Sequence, residues 1–247
     1  MNRFLHSGRY GDLIYSLWTI KALSGGSIVF NLSEGSLVSE ENVRFCRSLL
    51  ESLSYISSVE TIKFRKELEN NRGEKLFCRQ DVDNPDLLIL DNAWYWRNYP
   101  ETYHWIYRYA YTFGVEVDAS TPVIQVSSKN IRHRPIIVHS TDRYRGSGIP
   151  QEFLNREDVL IVTNEFYNSM LEMAISIASS KFFVGNQSIG AALAQALQHP
   201  RLIEKPSNPF WHDAYPIGKH GFSFDSDFDS KLEIVSATSE EFWSQKK

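Results

Sequence analysis

A chain of 247 residues, 42% hydrophobic and 23% charged with 13 Gly and 9 Pro, has the make-up of a folded globular protein and excludes a disordered or collagen-like one. Its length allows one large domain or two small ones, and a formal net charge of −4 argues against a nucleic-acid partner, a local basic patch aside. No apolar run is long enough to cross a bilayer, no secretory leader is legible, and Cys46 and Cys78 lack metal-ligand spacing, so the expectation is a cytoplasmic protein without disulfide or zinc.

Phe4 and Leu5 form a very short apolar strand that enters a turn holding Gly8 and Gly11. Asp12 then opens a segment with Leu13, Ile14, Leu17, Ile20 and Leu23 at three- and four-residue spacing, which predicts a helix over 12–24 closed by Gly25 and Gly26. A buried strand is expected from Ser27 to Leu32 and a helix from Glu40 to about Tyr55, with Val43, Cys46, Leu49, Leu50 and Leu53 packed. Val59 to Phe64 reads as a short strand, and residues 65–85 hold no period. Leu87 to Leu90 reads as a central parallel strand, and Glu101 to Phe113 as an aromatic helix ended by Gly114.

A short strand Val123–Val126 and the polar stretch Ser127–Arg134 make a join, which ends the first domain at residue 126. Pro135 to His139 opens a second unit and leads into the polar turn 140–146. Strands Val159–Val162 and Phe182–Val184 flank a helix from Tyr167 to Ser179. The turn Gly185-Asn186-Gln187-Ser188 follows, then an alanine-rich helix from Ile189 to Leu197 and a strand Arg201–Ile203. A loop over 206–220 and a short closing helix capped by Ser239 complete the chain. This alternation predicts an α/β fold of parallel sheets covered on both faces.

Gly8-x-x-Gly11-Asp12 lacks the third glycine of a dinucleotide fingerprint and the Lys-Ser/Thr end of a P-loop. Its glycines would let a ligand approach the backbone. Two readings of Asp12 stay open. It is a first-turn acid stabilised by the helix dipole, worth about 0.3–1 kcal/mol, or a base that takes a proton from an acceptor hydroxyl.

The amides of Ser188, Ile189 and Gly190 point at a diphosphate, or Ser188 simply caps an ordinary strand–helix turn. Arg143 and Arg145 offer an arginine fork for phosphate oxygens, or are solvated surface charges. His6 and His139 end corresponding strands and suit a packed or hydrogen-bonded role. Asn208, Trp211, His212 and Asp213 either help hold a ligand or anchor a surface loop. Asp225-Ser226-Asp227 has metal-motif spacing but reads as a solvated tail.

The opening segment, together with Phe183 to Leu197, resembles the heptosyltransferase-type glycosyltransferases. Gly8, Gly11 and Asp12 are similar to that family's first glycine loop and Gly-Asp pair. Gly185, Asn186 and Ser188 match its late Gly-Asn-Asp-Ser/Thr-Gly motif, with Gln187 replacing the acid, Ile189 the glycine and Ala192 near the helix histidine. The resemblance implies a GT-B-like fold, two facing Rossmann-like domains with the second reduced. It makes 1–126 the acceptor-side domain, 127–238 the nucleotide-sugar domain and 239–247 a tail helix.

It further implies an inverting transfer from a nucleotide-diphospho-sugar to a glycan hydroxyl, with Asp12 as catalytic base. Gly8, Gly11, Arg143 or Arg145, Gly185, Asn186, Gln187, Ser188 and Ile189 would bind. No metal and no cofactor beyond the donor substrate are implied. The partners would be a nucleotide sugar and a carbohydrate or glycolipid acceptor, compatible with peripheral membrane contact. A non-catalytic nucleotide or glycan-binding protein that retains the cleft is the alternative, and another enzyme of phosphorylated sugars a third reading.

Overall fold

Apolar runs without alternation must be buried on both faces, and the segment Gly26–Asn31 is buried along its whole length. The computed structural model describes residues 1–6, 8–32, 37–63, 68–69, 75–76, 87–90, 104–128, 133–141, 148–207 and 214–246. They divide into two units, Met1–Val117 and Asp118–Lys247.

In the first unit β1 (Asn2–His6), β2 (Gly26–Asn31) and β3 (Ile56–Ile62) are joined by α1 (Tyr10–Ala22) and α2 (Glu40–Glu51). β4 (Leu68–Glu69) and β5 (Lys75–Leu76) pair antiparallel with each other. β6 (Leu87–Ile89) returns to β1, which gives a parallel sheet of order β3-β2-β1-β6. α3 (Trp105–Thr112) packs against α1, and the His104 side chain accepts from the Ile106 amide at its start. Ser39 caps α2 by accepting from the Asn42 amide, and Val43, Cys46, Leu49 and Leu50 face inward.

α1 starts and stops two residues earlier than expected. Ser24 holds the left-handed position (φ 67°), where its amide donates to Lys21 and the Gly25 amide to Ile20. Gly25 is left-handed too (φ 72°), and a Cβ there would in addition collide with the Tyr55 carbonyl.

In the second unit β7 (Ile136–His139), β8 (Val159–Ile161), β9 (Phe183–Gly185), β10 (Arg201–Glu204) and β11 (Gly221–Phe224) form a parallel sheet of order β11-β10-β9-β7-β8. Its helices are α4 (Gln151–Leu154), α5 (Met170–Ser179), α6 (Ile189–Ala196) and α7 (Phe228–Ser244). Between β7 and β8 the described helix is the single turn α4. Ile136, Val138, Phe182, Val184, Leu202, Phe224 and Val235 build the core on one face.

Four expectations are corrected here. Val123–Val126 is not a strand: Val123 and Ile124 are buried, and their amides both donate to the Ala196 carbonyl. Gln195 and Gln198 also donate to Ala119, so the chain joins the second unit from Asp118 and not from residue 127. The closing helix is longer than expected and starts at Phe228. Ser239 is no cap but a buried mid-helix residue whose hydroxyl donates to the Lys181 carbonyl. β11, finally, continues directly from a stretch read only as loop.

The end of α1 supplies a pair of opposed outcomes. Ser24→Gly should stabilise the protein by about 0.5–1 kcal/mol by relieving a left-handed serine. Gly25→Ala should destabilise it by at least about 1 kcal/mol. Urea-unfolding midpoints of the two variants check both signs.

Candidate functional site

In an open parallel sheet the chain can leave a strand toward either side, and the crevice at the reversal is where ligands bind. The first unit proceeds from β1 to β2 on one side and places β6 on the other, so its switch point lies between the carboxyl ends of β1 and β6. The second proceeds from β7 to β8 on one side and to β9 on the other, so its switch point lies between β7 and β9. The turn after β1 carries Gly8 and leads into the first turn of α1, which holds Gly11 and Asp12, and the turn after β9 carries Asn186, Gln187 and Ser188. Both turns singled out by sequence therefore stand at switch points.

The first turn is held by bonds within itself. His6 is 1% exposed, and its ring meets the edge of Phe30. Its Nε2 lies 3.3 Å from the Arg9 carbonyl. Burial holds the imidazole down to about 4, against the upward pull of the Arg9 and Gly8 backbone, so the ring is neutral at pH 7. In that form Nε2–H donates to the turn.

Asp12 stands three residues beyond Arg9, and its Oδ2 accepts the Arg9 amide at 3.1 Å. This is the carboxylate half of a capping box. The carboxylate is partly exposed, and a side chain at Gly11 would meet nothing within 4 Å. Tyr10 accepts from Asn42 Nδ2, which ties the start of α1 to α2.

The second turn is held by bonds across the sheet. Asn186 is fully buried, and its amide both accepts from the Thr141 N–H (3.1 Å) and donates to the Thr141 carbonyl. Its side chain is thus committed to the chain that leaves β7. Glu204, buried at the end of β10, accepts the Gly148 amide at 2.5 Å. The two contacts pin residues 141 and 148, the described ends of the segment that contains Arg143 and Arg145.

Arg143 and Arg145 themselves lie outside the described residues, as do Asn208, Trp211, His212 and Asp213. Gln187 and Ile189 are largely buried. Ser188 begins α6 but makes no side-chain cap, forgoing about 1 kcal/mol. Its hydroxyl lies 2.8 Å from His139 Nδ1.

Two glycines permit this closeness. A Cβ on Gly185 would overlap the His139 carbonyl, and one on Gly190 would stand 2.8 Å from the Phe183 ring. Near His139 the exposed Glu165 carboxyl is held below its usual range by its own backbone amide and Thr163, and less by His139. Sequence reasoning missed Glu204 and the hold of Asn186 on Thr141. The signal for Glu204 is an acid on the carboxyl end of an otherwise apolar strand.

Among the described residues no group of three His, Cys, Asp or Glu stands together to hold a metal ion. Asp227 Oδ1 instead accepts the Asp225 amide at 2.9 Å beside the start of α7, which lowers its carboxyl. Among the described residues no helix is long and apolar enough to cross a membrane. A cavity of about 410 Å³ lined by Asn2, Ser24, Gly26 and Tyr55 opens at the amino edge of the first sheet, opposite that sheet's switch point.

No protein-family model and no curated protein matches the chain. Among solved structures it is similar to a glycosyl transferase family 9 protein from Veillonella parvula, with 12% identity and a TM-score of 0.56 over 94% of this chain and 88% of that one. It is also similar to the E. coli heptosyltransferase WaaC with ADP, at 12% identity and TM-score 0.43 over 97% and 99%. A third similarity is to TibC, an iron-containing dodecameric glycosyltransferase from enterotoxigenic E. coli, at 10% identity and TM-score 0.42 over 82% and 57%. The first likeness establishes the fold: an α/β protein of two parallel-sheet, Rossmann-like domains, GT-B-like in type.

The buried His6 makes a pH test. Between 6.5 and about 4 the unfolded chain binds a proton that the native turn refuses, so stability is full above pH 6.5 and falls as pH drops toward 4. The His6 share of the loss at pH 5 is about 2 kcal/mol. His199 and His220, also depressed by burial, act in the same direction. Urea unfolding at pH 7 and pH 5 should therefore show a smaller loss in His6→Gln than in the wild type. An equal loss would mean that His6 is already charged in the native protein.

Proposed function

We propose that this chain is an inverting glycosyltransferase, a short and divergent relative of the heptosyltransferases. It would move a sugar from a nucleotide-diphospho-sugar to a hydroxyl of a carbohydrate or glycolipid acceptor in the cytoplasm. The observation that carries the reading is the coincidence of both glycine-containing turns with the two switch points. The first unit takes the acceptor side and the second the donor.

Asp12 accepts the acceptor hydroxyl proton as that oxygen attacks the anomeric carbon. The bond from that carbon to the diphosphate breaks on the opposite face, and its electron pair leaves on the diphosphate oxygen. Arg143, Arg145 and the backbone amides of Ser188 and Ile189 offset the charge that grows there. Gly8 and Gly11 let the acceptor approach the backbone. Asn186 acts through its hold on Thr141, and Gln187 and Ile189 shape the wall of the turn.

A second reading is a non-catalytic nucleotide- or glycan-binding protein. What favours it is the Arg9 amide already seated on Asp12 Oδ2. Asp12→Asn separates the two readings because it keeps an oxygen for that amide. In a screen of labelled nucleotide sugars, Asp12→Asn should fold and bind donor as the wild type does, with turnover down about 10²–10⁴-fold. Surviving turnover would reduce Asp12 to a cap. A wild type that binds nucleoside diphosphates without ever transferring sugar would establish the second reading.

A further inference from the structure

Among the described residues three serines immediately precede helices, and two of them behave as caps. Ser39 accepts from the Asn42 amide and Ser169 from the Glu172 amide, each at 3.2 Å. Ser188 does not, because its hydroxyl is engaged by His139 Nδ1 at 2.8 Å. The bond spans the second switch point, from the end of β7 to the start of α6.

His139 is 1% exposed, and its seat is built for it. Side chains are absent at 185 and 190, where a Cβ would overlap the His139 carbonyl or stand 3.2 Å from the His139 Cβ. A histidine so enclosed cannot swing away, so the Ser188 hydroxyl keeps this partner.

We propose that His139 is a positioning residue of the donor site, which draws the Ser188 hydroxyl off its helix cap and presents it, with the first-turn amides of α6, to the diphosphate. The inference rests on the reading of the second unit as the nucleotide-sugar unit. Its chemistry is a choice between two hydrogen-bond directions. With the proton on Nδ1, His139 donates to Ser188 Oγ, and the hydroxyl hydrogen turns outward as a donor to an anion. With Nδ1 bare, Ser188 must donate inward, and its lone pairs face the anion instead. An incoming diphosphate therefore favours the Nδ1-protonated ring, and the ring in turn raises affinity for the diphosphate.

The test is calorimetric titration with ADP, GDP, UDP and dTDP. For whichever of these the wild type binds, His139→Leu and Ser188→Ala should each weaken affinity about tenfold, the loss of one hydrogen bond to a charged group. The double variant should lose no more than either single one. His139→Asn, which restores an amide near the Nδ1 position, should recover most of the loss.

Wild-type affinity in His139→Leu, or losses that multiply in the double variant, would overturn the proposal while leaving the donor reading intact. A wild type that binds none of the four would end the donor reading and this inference with it. Should His139→Leu fail to fold, nitrogen-15 NMR of the wild type decides. Nucleotide should move the His139 ring toward the form protonated at Nδ1, and an unmoved ring rejects the proposal.

Discussion

How deeply α6 can sink toward the second sheet decides most of what that unit offers. Gly185 and Gly190 leave no side chain between the Phe183 ring, the His139 backbone and the first turn of the helix. The rest of α6 is Ala, Leu, Ile and Gln, and all of it is buried. At its start this depth makes the His139–Ser188 and Asn186–Thr141 contacts reachable. At its end it brings Gln195 and Gln198 to the Ala119 carbonyl and Gln195 to the wholly buried Arg201 guanidinium, which also donates to His199 and Ile217. One small-residue helix thus organises the edge at the second switch point and the anchorage of the incoming chain.

The two switch-point turns are secured by opposite strategies. Around Gly8 the stabilising bonds run three residues along the chain, His6 to Arg9 and Arg9 to Asp12. Around Ser188 they reach 49 residues to His139, and Glu204 reaches 56 to Gly148. The first turn carries its geometry in its own sequence. The second exists only when the five-stranded sheet is assembled, so it depends on stability throughout its unit.

That contrast also explains what was legible in the sequence. Central strands such as Gly26–Asn31 and Ile136–His139 announce themselves as unbroken apolar runs between breakers, and the glycine turns stand out beside them. Asp12 as a first-turn acid is a local pattern and could be read directly. The His139–Ser188 and Glu204–Gly148 pairs leave no local trace, because tertiary pairing creates them. Ser239 reads locally as a cap for a short closing helix, and only the Lys181 carbonyl explains why a serine suits the middle of α7. Val123–Ile124 reads as a strand by composition, yet its amides serve a helix end instead of a sheet.

The Lys181 carbonyl, just ahead of β9, receives both the Ser239 hydroxyl and the Trp243 indole N–H. Arg134, just ahead of β7, lies 3.5 Å over the face of that same indole. Two of the sheet's inner strands therefore find these partners on a single helix, α7. One indole links the starts of β7 and β9, because Arg134 and the Lys181 carbonyl both rest on it. Local opening of α7 would thus reach the His139–Ser188 pair through the two strands that carry its ends.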